Sequence, residues 1–233
     1  MIRQAACWCV LFVGLGAVTI ARADTEEVTG SITGGVYDTI EIPANTTATL
    51  TGTIVKGDVK VYQNAKFTAN RARIDGDVQG KYSRTVIVQG GTFVGGNVQV
   101  TEAVAPSTVD ALLVTNATVD GDVQAEKSAG RLRAVGNRIG GNLQFVENRT
   151  GLYDIRNNTI KGDLQFFKNI GSGTITGNTV EGNLQSKENR PAPVIANNTV
   201  YGSTEIDAMA PLPGTPAGSG TTLPGMLPLL LDK

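Results

Sequence analysis

A three-residue phrase returns along this chain at nearly constant spacing. Gly57-Asp58-Val59 is followed by Gly76-Asp77-Val78, Gly96-Asn97-Val98, Gly121-Asp122-Val123, Gly141-Asn142-Leu143, Gly162-Asp163-Leu164 and Gly182-Asn183-Leu184, with a degenerate copy at Gly202-Ser203-Thr204. The glycines are 19, 20, 25, 20, 21, 20 and 20 residues apart. A unit this short cannot bury a hydrophobic face alone, so successive units must stack into a solenoid.

Numbering each unit from its glycine exposes the pattern. Position −2 holds Val55, Ile74, Val94, Val119, Ile139, Ile160, Val180 and Val200, all β-branched. Position +2 holds Val or Leu up to Leu184, and position +4 holds Val61, Val100, Phe145, Phe166 and Ile206, with Gly80, Ala125 and Ser186 as smaller variants. Apolar residues two apart have strand period, not the 3.6 of a helix. Positions +1 (Asp58, Asp77, Asn97, Asp122, Asn142, Asp163, Asn183) and +3 (Lys60, Gln79, Gln99, Gln124, Gln144, Gln165, Gln185, Glu205) then face out. In register, equivalent residues lie ~4.8 Å apart, close enough for a glutamine ladder.

A second short strand precedes each glycine, as at Ala111–Val114, Leu152–Ile155, Thr174–Thr176 and Val194-Ile195. One corner collects Asn137, Asn157-Asn158, Asn178 and Asn197-Asn198, and another collects Asn64, Asn148, Asn169 and Asn189. Asparagine suits a sharp corner because it tolerates the left-handed region and bonds nearby backbone. The expected fold is all-β: a single-stranded parallel β-helix of about eight coils with ~20 residues each, right-handed by the usual crossover rule. Leucine-rich repeats share the period, but their Leu-x-x-Leu-x-Leu spacing is missing.

The ends differ from the repeats. Residues 1–23 read as a signal peptide, with Arg3, an apolar stretch from Ala5 to Ile20 and an Ala21-Arg22-Ala23 cleavage site. That stretch is shorter than the ~20 residues of a membrane span. Removing it removes Cys7 and Cys9, leaving a mature chain without cysteine. Residues 24–50 are expected to form an N-terminal cap, 51–208 the coils, and 209–233 a flexible tail rich in Pro and Gly. The 25-residue interval contains an insertion at Thr101–Asp110, the kind of loop that carries binding in solenoids.

Composition removes several kinds of chemistry. The chain has no histidine, so histidine bases, triads and metal ligands are absent. Without Arg3 and Arg22 the mature chain has 18 Lys+Arg against 21 Asp+Glu, a net charge of −3 that offers nothing to nucleic acid. The carboxylates nearest to a metal site are Asp75, Asp77, Asp120 and Asp122, since Asp-Gly-Asp presents two on one face. They belong to the repeat consensus and so read as scaffold. No catalytic residue, metal or cofactor is expected. The face expected to bind carries Gln124, Gln144, Gln165, Asp122, Asn142 and Asp163. Thr118, Thr159, Thr179 and Thr199 form a column that Arg138 interrupts, a poor basis for ice binding.

The stretch Gly182-Asn183-Leu184-Gln185-Ser186-Lys187-Glu188-Asn189-Arg190-Pro191-Ala192-Pro193 resembles a terminal repeat in a loose group of secreted bacterial proteins with no assigned activity. There a cysteine commonly follows Gly-Asn-Leu-Gln and pairs near the C-terminus. Ser186 stands in its place here. The corner asparagines resemble the internal ladders of pectate-lyase-like parallel β-helices. The resemblance implies a bacterial exported protein and no particular activity. The function expected is a non-enzymatic β-solenoid of the periplasm or cell exterior, structural or binding a polysaccharide or surface component, with oligomeric state open. The alternative is a polysaccharide lyase or hydrolase. An enzyme needs acids and bases clustered within one or two coils, whereas these acids run along one column.

Overall fold

The computed structural model describes residues 25–207. Among them there is no helix. The strands form three parallel sheets of ten, nine and nine strands, wound as about nine turns of a β-solenoid. The first sheet is built from the strand after each repeat glycine, such as Val78–Lys81, Val98–Thr101 and Val123–Glu126. The second carries the longer strands, such as Asp110–Thr115 and Arg149–Arg156. The third consists of two-residue strands ending at position −2, such as Thr118–Val119. Register follows the repeat: Gln79, Gln99, Gln124, Gln144, Gln165 and Gln185 pair in succession, each with the next.

Coiling begins earlier than the glycine phrase. Residues 26–51, all but the last in the expected cap, supply Glu26–Glu27, Gly30–Thr33, Val36–Tyr37, Ile40–Ile42 and Thr47–Thr51 to the same sheets. There Asp38 takes the glycine position, its carbonyl accepting the Gly57 N–H at 2.6 Å. The expected signal peptide and the expected tail lie outside the described residues.

The inward positions form one continuous core. Val55, Ile74, Val94, Val119, Ile139, Ile160 and Val180 are fully buried, as are Val59, Val78, Val98, Val123, Leu143 and Leu164. Burying each contributes on the order of 1.5–3 kcal/mol. Tyr153 is the largest buried side chain. Its ring meets Phe166 edge-on at 5.2 Å and its hydroxyl donates to the Ile170 carbonyl at 3.0 Å. Burial pushes its phenol up to about 12. Gly173 makes room for this pair, since a Cβ there would stand 3.3 Å from Phe166.

Both corners carry internal ladders in the later coils. Asn137, Asn158, Asn178 and Asn198 form one, and Asn148, Asn169 and Asn189 the other. The Oδ1 of each accepts the backbone N–H of the equivalent residue in the preceding coil, as from Asn158 to Asn178 at 3.0 Å and from Ala117 to Asn137 at 3.0 Å. Each Nδ2 donates back to a carbonyl of the preceding coil, as from Asn158 to Ala134 at 2.8 Å. Two sequence assignments change. Asn157 and Asn197 sit one place before the ladder with φ of 56° and 55°, turning the corner. Asn64 is also a left-handed corner residue (φ 54°), and its Nδ2 donates outward to Asn45 at 2.9 Å. Ala65, buried, occupies the inward place beside it. Sequence alone does not distinguish the asparagine that turns a corner from the one that fills it.

The insertion at Thr101–Asp110 is pinned to the rod. Ala103 and Ala105 are buried. Asp110 accepts two bonds from Arg133, at 2.8 and 2.6 Å, and stands 3.2 Å from Arg131. Those bonds hold the Arg133 guanidinium above its ordinary value.

Candidate binding face

The repeated phrase is explained by the outer face of the first sheet. At Gly121 an added Cβ would collide with the Asn97 side chain and stand 2.7 Å from the Gly96 carbonyl, so only glycine lets the coils approach. The +1 side chain then reaches the next coil. Asp58 accepts the Asp77 N–H at 2.9 Å, Asp77 that of Asn97 at 2.6 Å and Asn97 that of Asp122 at 2.8 Å. Asp122, Asn142, Asp163 and Asn183 continue the relay at 2.6, 2.8, 2.7 and 2.8 Å. This column ties backbone to side chain through the rod.

The +3 column forms a ladder over most of its length. Gln99 donates to Gln124 at 2.8 Å, Gln124 to Gln144 at 2.8 Å, Gln144 to Gln165 at 2.6 Å and Gln165 to Gln185 at 3.0 Å. Gln185 ends it on Glu205 at 3.0 Å. Lys187, 2.8 Å from Glu205, holds that carboxyl below its usual range. The expected binding residues Gln124, Gln144 and Gln165 are thus neighbours, and each carboxamide already donates and accepts within the ladder. Asp122 accepts from the Asn142 N–H and from Gln124, and Asn142 and Asp163 are likewise engaged.

The ladder stops at Gln79. Its Nε2 turns aside to Asp77 at 3.1 Å and leaves the Gln99 Oε1 without a donor among the described residues. At this break lies a shallow concavity of about 350 Å³, lined by Lys60, Tyr62, Gln79, Lys81, Gln99 and Thr101. Tyr62 is 41% exposed and Tyr82, beside it, 43%. The Lys81 ammonium lies 5.4 Å from the Tyr82 ring centre. Burial, and then the Glu41 carboxylate, raise the Tyr62 phenol above its ordinary value, and a bond with Glu102 raises that of Tyr82. The open carbonyl oxygen of Gln99, an exposed ring and ammonium groups within three coils can bond hydroxyls, stack on an apolar sugar face and attract a carboxylate. Sequence reading missed this place because Gln79 matches the consensus, and only its side-chain direction sets it apart.

Three of the four acidic residues nearest to a metal site, Asp75, Asp77 and Asp122, are also engaged. Asp75 stands 2.7 Å from Arg73 and 3.3 Å from Lys56, and Asp77 accepts from Asn97 and Gln79. Asp120 lies across Gly121 from Asp122. Among the described residues no group of three His, Cys, Asp or Glu side chains could hold a metal ion. Comparison with protein-family models, curated proteins and solved structures finds no match to this chain.

Proposed function

We propose that this chain is an exported, non-enzymatic β-solenoid that binds an extended polysaccharide on the outer face of its first sheet. The observation that carries the reading is the break in the glutamine ladder. Below Gln99 the polar column opens into a concavity bearing Tyr62, Gln79 and Lys81, while above it the amides bond one another. Contacts of this kind each contribute on the order of 1 kcal/mol, so a polymer crossing several coils accumulates them. Export is supported by the leader-like residues 1–23 and by the resemblance of 182–193 to secreted bacterial proteins.

The test is binding of the mature chain to cell-wall and exopolysaccharide fractions, with lyase and hydrolase activity assayed on the same fractions. Retention of a fraction, weakened at least tenfold by Tyr62→Ala with Lys81→Ala, supports the reading. No retention of any fraction defeats it. Turnover of a bound fraction replaces it with the enzymatic alternative.

A further inference from the structure

Six aliphatic side chains stand well exposed among the described residues. Val36 belongs to the first turn and Val194 and Ile206 to the last, where the rod's ends account for them. Val104 (52%), Leu152 (48%) and Ile170 (50%) lie in interior turns, and no end effect exposes them. All three sit along the corner that joins the first sheet to the second. Val104 begins a column there that continues through Ala129, Arg149, Ile170 and Arg190 in successive turns. Leu152 follows Arg149 in its strand and stands beside Arg131 of the preceding turn. Aliphatic and arginine side chains thus share one ridge along the rod.

Charge divides between the sheets in the same sense. The strands of the second sheet hold Lys66, Arg131, Arg133, Arg149 and Arg156 against Asp110 and Asp154, a balance of +3 from five less two. Those of the first sheet hold three cations against five acids, a balance of −2. The corner residues before the ridge alternate in sign and offset one another, as Lys168 does Glu147 at 3.9 Å.

We infer that this corner and the outer face of the second sheet rest on an anionic phospholipid membrane, with arginines on its phosphates and Leu152 and Ile170 at its acyl boundary. Arginine pairs bidentately with phosphate while its stem lies along apolar groups. Aliphatic side chains beside cations suit a protein that lies on such a layer without spanning it. Stacking in register keeps these side chains in line, and a straight line of anchors meets a plane along its whole length. A polysaccharide fits this ridge less well. Sugars stack on rings, and the aromatic side chains of the second-sheet strands, Phe67 and Tyr153, are both buried. The first sheet forms another side of the rod, so a polysaccharide held there would not compete.

The experiment is co-sedimentation of the mature chain with vesicles of phosphatidylcholine alone and of phosphatidylcholine mixed with phosphatidylglycerol, at low and high salt. Leu152→Ser/Ile170→Ser removes the apolar anchors and Arg149→Gln/Arg190→Gln removes two ridge cations. Arg138→Gln/Lys161→Gln removes the same charge from the third side of the rod, and circular dichroism checks the fold of all three. The expected result is sedimentation with the phosphatidylglycerol vesicles alone, falling as salt rises. Each ridge variant should weaken it at least about tenfold, and the third-side variant should leave it unchanged. No sedimentation with phosphatidylglycerol vesicles would overturn the inference, as would equal binding to both kinds of vesicle or an equal loss in all three variants. So would a dimeric wild type that Leu152→Ser/Ile170→Ser makes monomeric, because a second copy would then cover the ridge.

Discussion

The early and late coils of this rod share one cross-section but use their polar groups differently. In the early coils the two corners are filled by Thr53, Ala72, Thr92 and Ala117 on one side and Ala65, Ser83, Ala103 and Ser128 on the other, all buried. The alanines have no side-chain polar atom, and Thr92 and Ser128 each accept from one coil and otherwise bond locally, so no continuous ladder forms. The Ala72 N–H reaches Thr92 at 3.3 Å, and the buried Ser83 hydroxyl has no partner. In the late coils asparagines occupy both columns, and Asn137, Asn148, Asn158, Asn169 and Asn178 each bind the coil before and the coil after. The outer face divides in the same sense, with a continuous glutamine ladder from Gln99 to Glu205 and an open concavity near Gln79. Amides that bond one another fasten the rod, and at the break, where Gln79 turns to Asp77, the Gln99 carbonyl oxygen is left open. The account therefore puts cohesion in the late coils and binding in the early ones.

The largest effect expected is that of Ile160→Asp. A lone carboxylate at this fully buried site has no partner, and the variant should not fold, as read by circular dichroism. Val119→Asp, at the same position of an earlier coil, should behave alike. A folded variant would break the inward assignment of position −2.

Asn158→Ala addresses the comparison itself. It strips the Asn137 N–H of its acceptor and the Ala134 carbonyl of its donor, inside a buried column. The cost should be about 3–5 kcal/mol, at ~1–3 kcal/mol for each stranded group. Thr92→Ala should cost less, about 1–2 kcal/mol, since it loses one long bond from the Ala72 N–H and one local bond to the Gln89 carbonyl. Urea unfolding giving equal costs for the two would remove the distinction between the corners.

Alkaline titration tests the late core at Tyr153. Its phenol is raised to about 12 in the folded protein, above the ordinary 10 of the unfolded chain. The unfolded state therefore ionises first, so this contribution is fully present below pH 10 and is lost as pH rises to about 12. The loss should be about 2–3 kcal/mol. Tyr153→Phe should lower stability at neutral pH through the lost bond to Ile170, yet flatten that alkaline decline. An equally steep decline in the phenylalanine variant would place its cause elsewhere.

Much of the fold was legible because a two-residue alternation repeated at a twenty-residue period admits few structures. The glycine phrase announced the coil, and positions −2, +2 and +4 named the core. Turns without the phrase were hidden, since Asp38 and Thr39 stand where Gly57 and Asp58 stand one coil later. Corner chemistry was half legible: Asn157 and Asn158 are chemically identical, and backbone handedness alone separates them. The candidate site was least visible. A repeat shows which residues align, but not that Gln79 bonds Asp77 alone while Gln124, with the same carboxylate beside it, also reaches Gln144.

Gln144→Ala is expected to have the smallest effect on stability, less than about 1 kcal/mol, because it removes two half-exposed ladder bonds. Its partner variant, Tyr62→Ala with Lys81→Ala, changes exposed side chains and should move stability by only about 0.5 kcal/mol. Binding should separate them. The most direct measurement is the affinity of both variants for the polysaccharide fraction that the wild type retains. The account predicts near-wild-type binding for Gln144→Ala and at least a tenfold loss for the Tyr62/Lys81 variant. A loss confined to Gln144→Ala, or equal losses in both, would contradict the assignment of binding to the early coils.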